Sequence, residues 1–181
     1  MVISTNIGTP TNPSYSWPIR PPRMKNVASY QLHPSTMPFK ILTTSVLSLS
    51  SMYYHISIQY DIKFGNNNPN FFQYDFNHPE LIPEKYYNMF DFVLADPPFI
   101  THEVWQKYAE AIKKIIKKDE NGKIVGKILL STIQENEKFL GEILGVKSRK
   151  FKPSIPNLVY QYCLYSNYDD EELEKVNEEI G

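Results

Sequence analysis

Residues 90–101 constrain the fold of this chain more than any other segment. The run Phe-Asp-Phe-Val-Leu-Ala at residues 90–95 indicates a buried strand, and an amphipathic helix is predicted to begin at Thr101 and to end near Lys118. A strand that passes into a helix through a short polar turn is typical of an open α/β sheet, where binding residues lie at the carboxyl ends of the strands. The turn itself consists of Asp96, Pro97, Pro98 and Phe99.

These four residues have the chemistry needed to hold an amine. The Asp96 carboxylate can accept a hydrogen bond from an amine N–H. The two prolines have no backbone N–H, so the carbonyl groups in this stiff turn remain free as further acceptors. Phe99 offers a flat apolar wall for a planar base or an alkyl amine. The segment therefore predicts an acceptor site that aims an amine lone pair at an electrophilic methyl group, mainly by positioning. An ordinary loop, with Asp96 capping the turn and the prolines ending the strand, is the alternative.

The rest of the pattern alternates strands with helices. A second helix is predicted at residues 134–144, closed by Gly145, and a helical turn at residues 83–88. Alternation of this kind favours a parallel, doubly wound sheet. The link of residues 152–156 is too short for a helical crossover, so the last strand should run antiparallel. Strands are predicted at residues 39–46, 55–60, 71–74, 90–95, 127–132, 146–151 and 158–166.

Three segments of different composition suggest the domain organisation. Residues 1–39 hold seven of the 14 prolines and show no apolar periodicity, which predicts a poorly ordered arm. Residues 40–168 carry the strand and helix patterns of one domain. Residues 169–181 are acidic and are expected to form a solvated tail.

Charge and composition limit the partners of the chain. The net charge of −1 gives no general attraction to nucleic acid. The single cysteine, Cys163, allows no disulfide framework, and the four histidines show no metal-ligand spacing, so no metal site is expected. No apolar stretch approaches the ~20 residues of a membrane span, and the N-terminus lacks a secretion signal. We therefore expect a monomeric cytoplasmic protein with no membrane contact.

Residues 56–168 resemble the N6-adenine-methyltransferase-like proteins that act as lysine methyltransferases on translation elongation factor 1-alpha. The resemblance rests on the order and spacing of motifs over some 110 residues. It implies a Rossmann-like, S-adenosylmethionine-dependent methyltransferase fold, with a seven-stranded mixed sheet of six parallel strands and one antiparallel strand. The matching segments are residues 58–61, 72–77, 90–99, 127–130 and 144–147, with Asn157, Leu158, Tyr165, Asn167, Tyr168 and Asp169.

The resemblance also implies where S-adenosylmethionine would bind. Asp61 falls where the family holds the ribose hydroxyls, and Gln59 stands where the family typically has glutamate, which would weaken that contact. Asp75 follows the third predicted strand and could contact the adenine amino group. Ser45 offers a hydroxyl near the methionine end of the cofactor. Asp61 and Asp75 could instead be turn residues, and that alternative stays open.

The N-terminal part departs from the family pattern. No glycine occurs between Thr9 and Phe64, although a methyltransferase usually has a glycine-containing loop after its first strand. Only about eight residues separate the first two predicted strands, whereas a parallel crossover needs a dozen or more. We therefore expect residues 1 to about 50 to be a truncated or irregular version of the cofactor-binding half.

Three functions remain open at this stage. A protein-lysine methyltransferase acting on translation elongation factor 1-alpha suits the near-neutral charge. A nucleic-acid enzyme would flip an adenine onto Phe99 but would need a basic groove. The third is an inactive, methyltransferase-like binding module. Tyr160 and Tyr162, near the last strand, could line the site or pack in the core.

Overall fold

In the computed structural model, residues 2–6, 53–65, 70–154 and 159–178 are described, and they build a mixed sheet flanked by helices. The sheet order is β3-β2-β1-β4-β5-β7-β6. The strands are β1 (Val2–Asn6), β2 (Tyr53–Gln59), β3 (Phe71–Gln73), β4 (Phe92–Ala95), β5 (Lys127–Ile133), β6 (Lys147–Ser148) and β7 (Tyr162–Ser166), and the α-helices are α1 (His102–Ile115) and α2 (Glu137–Leu144).

Strand directions confirm the antiparallel last strand. Strands β2 to β6 all run the same way, while β7 is inserted antiparallel between β5 and β6. In its register, Ile133 at the end of β5 pairs with Tyr162 at the start of β7. The mixed α/β architecture is consistent with a methyltransferase fold.

The N-terminal strand differs from expectation. Strand β1 pairs antiparallel with both β2 and β4, although its residues were assigned to the poorly ordered arm. The expected six parallel strands are therefore not shown, since five of the described strands are parallel and the strand predicted at residues 39–46 lies outside the described residues. The short spacing noted in the sequence lies between that predicted strand and β2, so it does not concern β1, which is separated from β2 by residues 7–52.

Helix α1 begins as predicted and ends earlier than predicted. Thr101 is its N-cap, and the Thr101 Oγ1 accepts a hydrogen bond from the Val104 backbone N–H at 3.4 Å. The helix ends at Ile115 because Ile116 turns extended and forms a parallel bridge with Phe90. Among the described residues, no helix is long and apolar enough to cross a membrane.

The strands alternate their side chains between two cores. One face of β4, β5 and β7 packs against the buried side of α1 and α2, where Trp105, Ile112 and Leu140 are fully buried. The other face forms a smaller cluster of Leu94, Leu129, Leu164 and Leu173. This period-2 pattern places successive residues on opposite faces, as a strand geometry requires.

The acidic C-terminal segment is docked on the sheet, in contrast to the expected solvated tail. Leu173 is 2 % exposed, and the Phe151 backbone N–H donates to the Leu173 carbonyl at 2.9 Å. Arg149 is largely buried and pairs with Asp169 at 2.8 Å and with Glu174 at 3.4 Å. The apolar contacts and the ion pairs together hold described residues 169–178 against the domain, and residues 179–181 lie outside the described part.

Candidate functional site

The carboxyl ends of the parallel strands define the candidate site. Strands β2, β3, β4 and β5 end at the same edge of the sheet, at Gln59, Gln73, Ala95 and Ile133. From β1 the chain adds β2 and then β3 on one side of the sheet, and from β4 it adds β5, β6 and β7 on the other side. The strand order therefore reverses between β1 and β4. Open α/β sheets bind their ligands in the crevice at this position.

The Asp96–Phe99 turn lies at this reversal, directly after β4. Pro97 is buried and fixes the turn, whereas Asp96, Pro98 and Phe99 are exposed, Phe99 by 58 %. The carboxylate is therefore accessible from solvent, yet the surrounding protein desolvates it enough to raise the pKa of Asp96 to about 6. An accessible carboxylate and an exposed aromatic ring side by side can hold an amine and the alkyl chain or base that carries it.

Two tyrosines lie within electrostatic range of Asp96. Burial, and secondly the charge of Asp96, raise the pKa of Tyr108 to about 12, and the same two causes raise the pKa of Tyr162. Tyr108 comes from α1, and its ring lies 5.8 Å from the ring of Phe76, which follows β3. Helix α1 thus connects the end of β3 with residues 96–99, which we call the acceptor turn.

Sequence reasoning placed these tyrosines incompletely. Tyr108 was not singled out from the sequence, although its phenol is the signal that could have marked it as a site residue. Tyr162 lies at the site edge, whereas Tyr160 is 54 % exposed.

A buried polar network fastens the acceptor turn to β5. The Asn136 amide donates from Nδ2 to the Ile100 carbonyl at 2.8 Å and to Thr132 Oγ1 at 3.1 Å. Trp105 Nε1 donates to the same Thr132 oxygen at 3.1 Å. Asn136 was not singled out from the sequence, because it reads as an ordinary residue at the start of the second helix.

The candidate donor-binding residues lie at the ends of β2 and β3. These ends are joined by a hydrogen bond from the Tyr74 backbone N–H to the Gln59 carbonyl at 2.9 Å. Gln59 Nε2 donates to Ser57 Oγ at 3.2 Å. The fourth candidate, Ser45, lies outside the described residues.

Both aspartates make the turn contacts that the sequence left open. Asp61 accepts from the Lys63 backbone N–H at 3.0 Å and pairs with Lys63 Nζ at 2.5 Å, and these hydrogen bonds lower the pKa of Asp61. Asp75 Oδ1 accepts from the Asn77 backbone N–H at 2.9 Å and from Asn77 Nδ2 at 3.0 Å. Two carboxylates and a carboxamide are acceptors of the kind that ribose hydroxyls and an adenine amino group require, so this set fits an adenosyl group in its chemistry.

The family of the chain follows from comparison with known proteins. A family model described as probable N6-adenine methyltransferase matches residues 39–170, which include the acceptor turn and the strands around it. The chain belongs to this family. Its membership implies a methyl donor, and the Asp96–Phe99 turn lies inside the matched region.

Comparison with individual proteins is more specific. The chain is 37% identical over 113 residues to EEF1A lysine methyltransferase 1 of Mus musculus, covering 61% of this chain and 49% of that protein. It is 32% identical over 116 residues to the Danio rerio protein of the same name, covering 63% of this chain and 65% of that protein. A protein-lysine N-methyltransferase of Caenorhabditis elegans is 30% identical over 112 residues, covering 61% of this chain and 49% of that protein. The chain thus spans about half the length of most of these relatives.

Proposed function

We propose that this chain is an S-adenosylmethionine-dependent protein-lysine N-methyltransferase whose substrate is translation elongation factor 1-alpha. The observation that carries the proposal is the Asp96–Phe99 turn at the carboxyl end of β4, in a chain of the N6-adenine methyltransferase family. The names of its relatives, EEF1A lysine methyltransferase 1 and protein-lysine N-methyltransferase, support a lysine as the acceptor.

The acceptor lysine would enter beside Phe99 with its amine against Asp96. Its alkyl chain packs on the exposed ring, and Asp96 together with the free carbonyls of the proline turn accepts hydrogen bonds from the amine. An ordinary lysine has a pKa near 10.4, so the site must favour its neutral form. The desolvation that raises the pKa of Asp96 acts in the opposite direction on a lysine and lowers its pKa.

The methyl donor would lie across the ends of β2 and β3. We assign its ribose to Asp61 and Gln59, its adenine amino group to Asp75, and a contact at its methionine end to Ser45. When bound, S-adenosylmethionine supplies the electrophilic methyl group. The residues of this chain contribute by holding the two reactants in line, which can account for a large part of a rate enhancement.

We further propose residues 40–168 as the methyltransferase domain, with a monomeric protein acting in the cytoplasm. The family match over residues 39–170 supports these boundaries closely. The docked position of Leu173 favours extending the folded unit into the C-terminal segment.

Adenine in nucleic acid is the alternative acceptor, favoured by the description of the family model. A flipped base could stack on Phe99 in the same turn. The net charge of −1 argues against it, because binding to a phosphate backbone usually requires a clearly basic surface. An inactive binding module is the third candidate, and cofactor binding separates it from both enzymes.

Calorimetric titration with S-adenosylhomocysteine, followed by a transfer assay, tests the proposal. We expect micromolar binding, and transfer of a labelled methyl group to elongation factor 1-alpha but not to adenine-containing DNA. Labelled DNA with unlabelled protein would establish the alternative acceptor. A folded chain that does not bind the product would favour the inactive module.

A further inference from the structure

Among the described residues, none donates to or accepts from residues 96–99 in a hydrogen bond that would fix the acceptor turn against the sheet. Two of its four residues are prolines, which cannot donate, and the next described anchor is the Ile100 carbonyl. A turn that positions a reactant must be held to a fraction of an ångström, because a misplacement of about 1 Å can cost about 100-fold in rate. What holds this turn in place is therefore part of its function.

Asn136 holds it from a position 36 residues away in the chain. The side chain is 2 % exposed, and its two amide hydrogens are used for the Ile100 carbonyl and for Thr132 Oγ1. Since a carbonyl can only accept, the group that faces Ile100 must be the amide nitrogen. The same nitrogen faces Thr132 Oγ1, so Asn136 is the donor in both bonds.

The location of Asn136 makes this use of its side chain unusual. Asn136 occupies the N-cap position of α2, where asparagine ordinarily accepts from the free backbone N–H groups of the helix. No such capping bond is made, and the side chain turns toward the acceptor turn instead. The Asn136 side chain is therefore used for the acceptor turn and not for capping α2.

Thr132 connects Asn136 to the first helix. It is 1 % exposed, and its hydroxyl oxygen accepts from both Asn136 and the fully buried Trp105. Trp105 also donates from its backbone N–H to the Thr101 carbonyl at 3.1 Å. These hydrogen bonds connect the carboxyl end of β5 to Ile100 through Asn136 and to Thr101 through Trp105. Ile100 and Thr101 are the two residues that follow the acceptor turn.

We propose that Asn136, which bonds Ile100 directly and is supported by Thr132 and Trp105, is a positioning residue that fixes the Asp96–Phe99 turn for methyl transfer. This proposal rests on the proposed function for its kinetic part, since the turn must be an acceptor site. Its structural part, that the network immobilises the turn, is independent of the reaction.

The test compares Asn136→Leu with Asn167→Leu in the full chain. Asn167 makes a matched pair of bonds at the opposite end of β5, accepting from the Ile128 N–H at 2.7 Å and donating to the Gly126 carbonyl at 2.9 Å. Both variants should lower the melting temperature. In Asn136→Leu, we expect kcat toward elongation factor 1-alpha to fall about 10- to 100-fold. The affinity for S-adenosylhomocysteine should stay within about twofold, because Gln59, Asp61 and Asp75 lie at or just after the ends of β2 and β3. In Asn167→Leu, kcat at a temperature where the protein is folded should stay within about twofold of wild type.

Hydrogen–deuterium exchange supplies a readout that does not depend on activity. Peptides that span residues 99–106 contain the Val104 and Trp105 amides, which donate to Thr101 at the start of α1. These peptides should exchange faster in Asn136→Leu and at the wild-type rate in Asn167→Leu. If Asn136→Leu keeps wild-type exchange in these peptides, or keeps wild-type kcat in an active enzyme, the proposal is wrong. A wild-type chain without transfer activity would refute the proposed function alone, and the exchange comparison would still decide the positioning role.

A second pair keeps the test decisive if Asn136→Leu fails to fold. Thr132→Val removes the shared oxygen at nearly constant volume, while Thr132→Ser keeps it. We expect faster exchange in peptides of residues 99–106 and lower kcat in the valine variant, with both restored by serine. Equal behaviour of valine and serine would overturn the proposal.

Discussion

At the residue scale, the structure places one carboxylate in an unusual environment. Asp96 is accessible from the crevice, yet its surroundings favour the neutral acid more than water does. The two tyrosines within range of it are themselves desolvated. This combination is common at functional sites, where a group is kept reactive at some cost in stability.

Replacing Asp96 should remove transfer and leave the fold intact. Asp96→Ala deletes the amine acceptor and also removes a carboxylate that the fold desolvates, so we expect kcat to fall at least about 100-fold while the melting temperature is no lower than that of wild type. A methyl-transfer assay and circular dichroism measure the two effects. Glu142→Gln, an exposed change on α2, is the control that should leave both unaltered. Near-normal turnover in Asp96→Ala would contradict the assignment of the acceptor site.

The same carboxylate should make the stability of the protein depend on pH. With a folded pKa of about 6 against 3.8 for the free group, ionisation is disfavoured in the folded state. The resulting penalty is absent below about pH 4, grows as pH rises to 6, and is complete above it. Asp96→Asn removes the penalty, so its melting temperature should exceed that of wild type at pH 8 and match it at pH 4. Thermal melts at the two pH values measure this difference, and an equal difference at both would show that Asp96 titrates normally.

At the scale of elements, the end of α1 depends on one close approach. A Cβ added at Gly126 would lie 2.5 Å from Ile116 Cδ1 and 2.9 Å from the Phe90 carbonyl. These atoms belong to the bridge that ends the helix and aligns residue 90 with the start of β4. The Phe90 carbonyl oxygen is a backbone atom, so it cannot move aside as the end of a flexible side chain can.

A pair of glycine-to-alanine changes tests this packing. Gly126→Ala should lower the free energy of unfolding by about 1–3 kcal/mol, the usual cost of overpacking a core. Gly141→Ala, within α2, meets only an ordinary contact at 3.5 Å and should be neutral or stabilising by up to about 1 kcal/mol. Denaturant titration of both variants measures the contrast. Similar values for the two would show that the Gly126 contact relaxes freely.

At the scale of the whole molecule, the C-terminal segment closes the second face of the sheet. Leu173 completes the cluster with Leu94, Leu129 and Leu164, and Arg149 holds the acidic residues on either side. The acidic composition predicted solvation, because charged residues dominate the segment. The burial of Leu173 and the ion pairs of Arg149 dock the segment on the sheet instead.

Shortening Leu173 should therefore destabilise the entire domain. Leu173→Ala is expected to cost about 2–5 kcal/mol, as for other buried leucines. Val176→Ala, three residues away and 71 % exposed, should change stability by less than about 0.5 kcal/mol. Denaturant unfolding of the two variants gives both values. If the segment were a solvated tail, both variants would have the same free energy of unfolding as wild type.

The sequence by itself determined the strand–turn–helix unit at residues 90–115 and the residues at its turn. It did so because periodicity, the Thr101 cap and the prolines act within a few residues of one another. The short link after residue 151 likewise required an antiparallel last strand. These features are local, and the structure keeps them.

Only the tertiary structure decided which distant groups meet. Strand β1 lies between β2 and β4, Leu173 packs beneath β5, and Asn136 reaches the Ile100 carbonyl. None of these contacts produces a periodic pattern in the sequence, because each depends on the packing of elements far apart in the chain. The sequence supplies the acceptor groups, and the long-range contacts of the folded chain set where they are held.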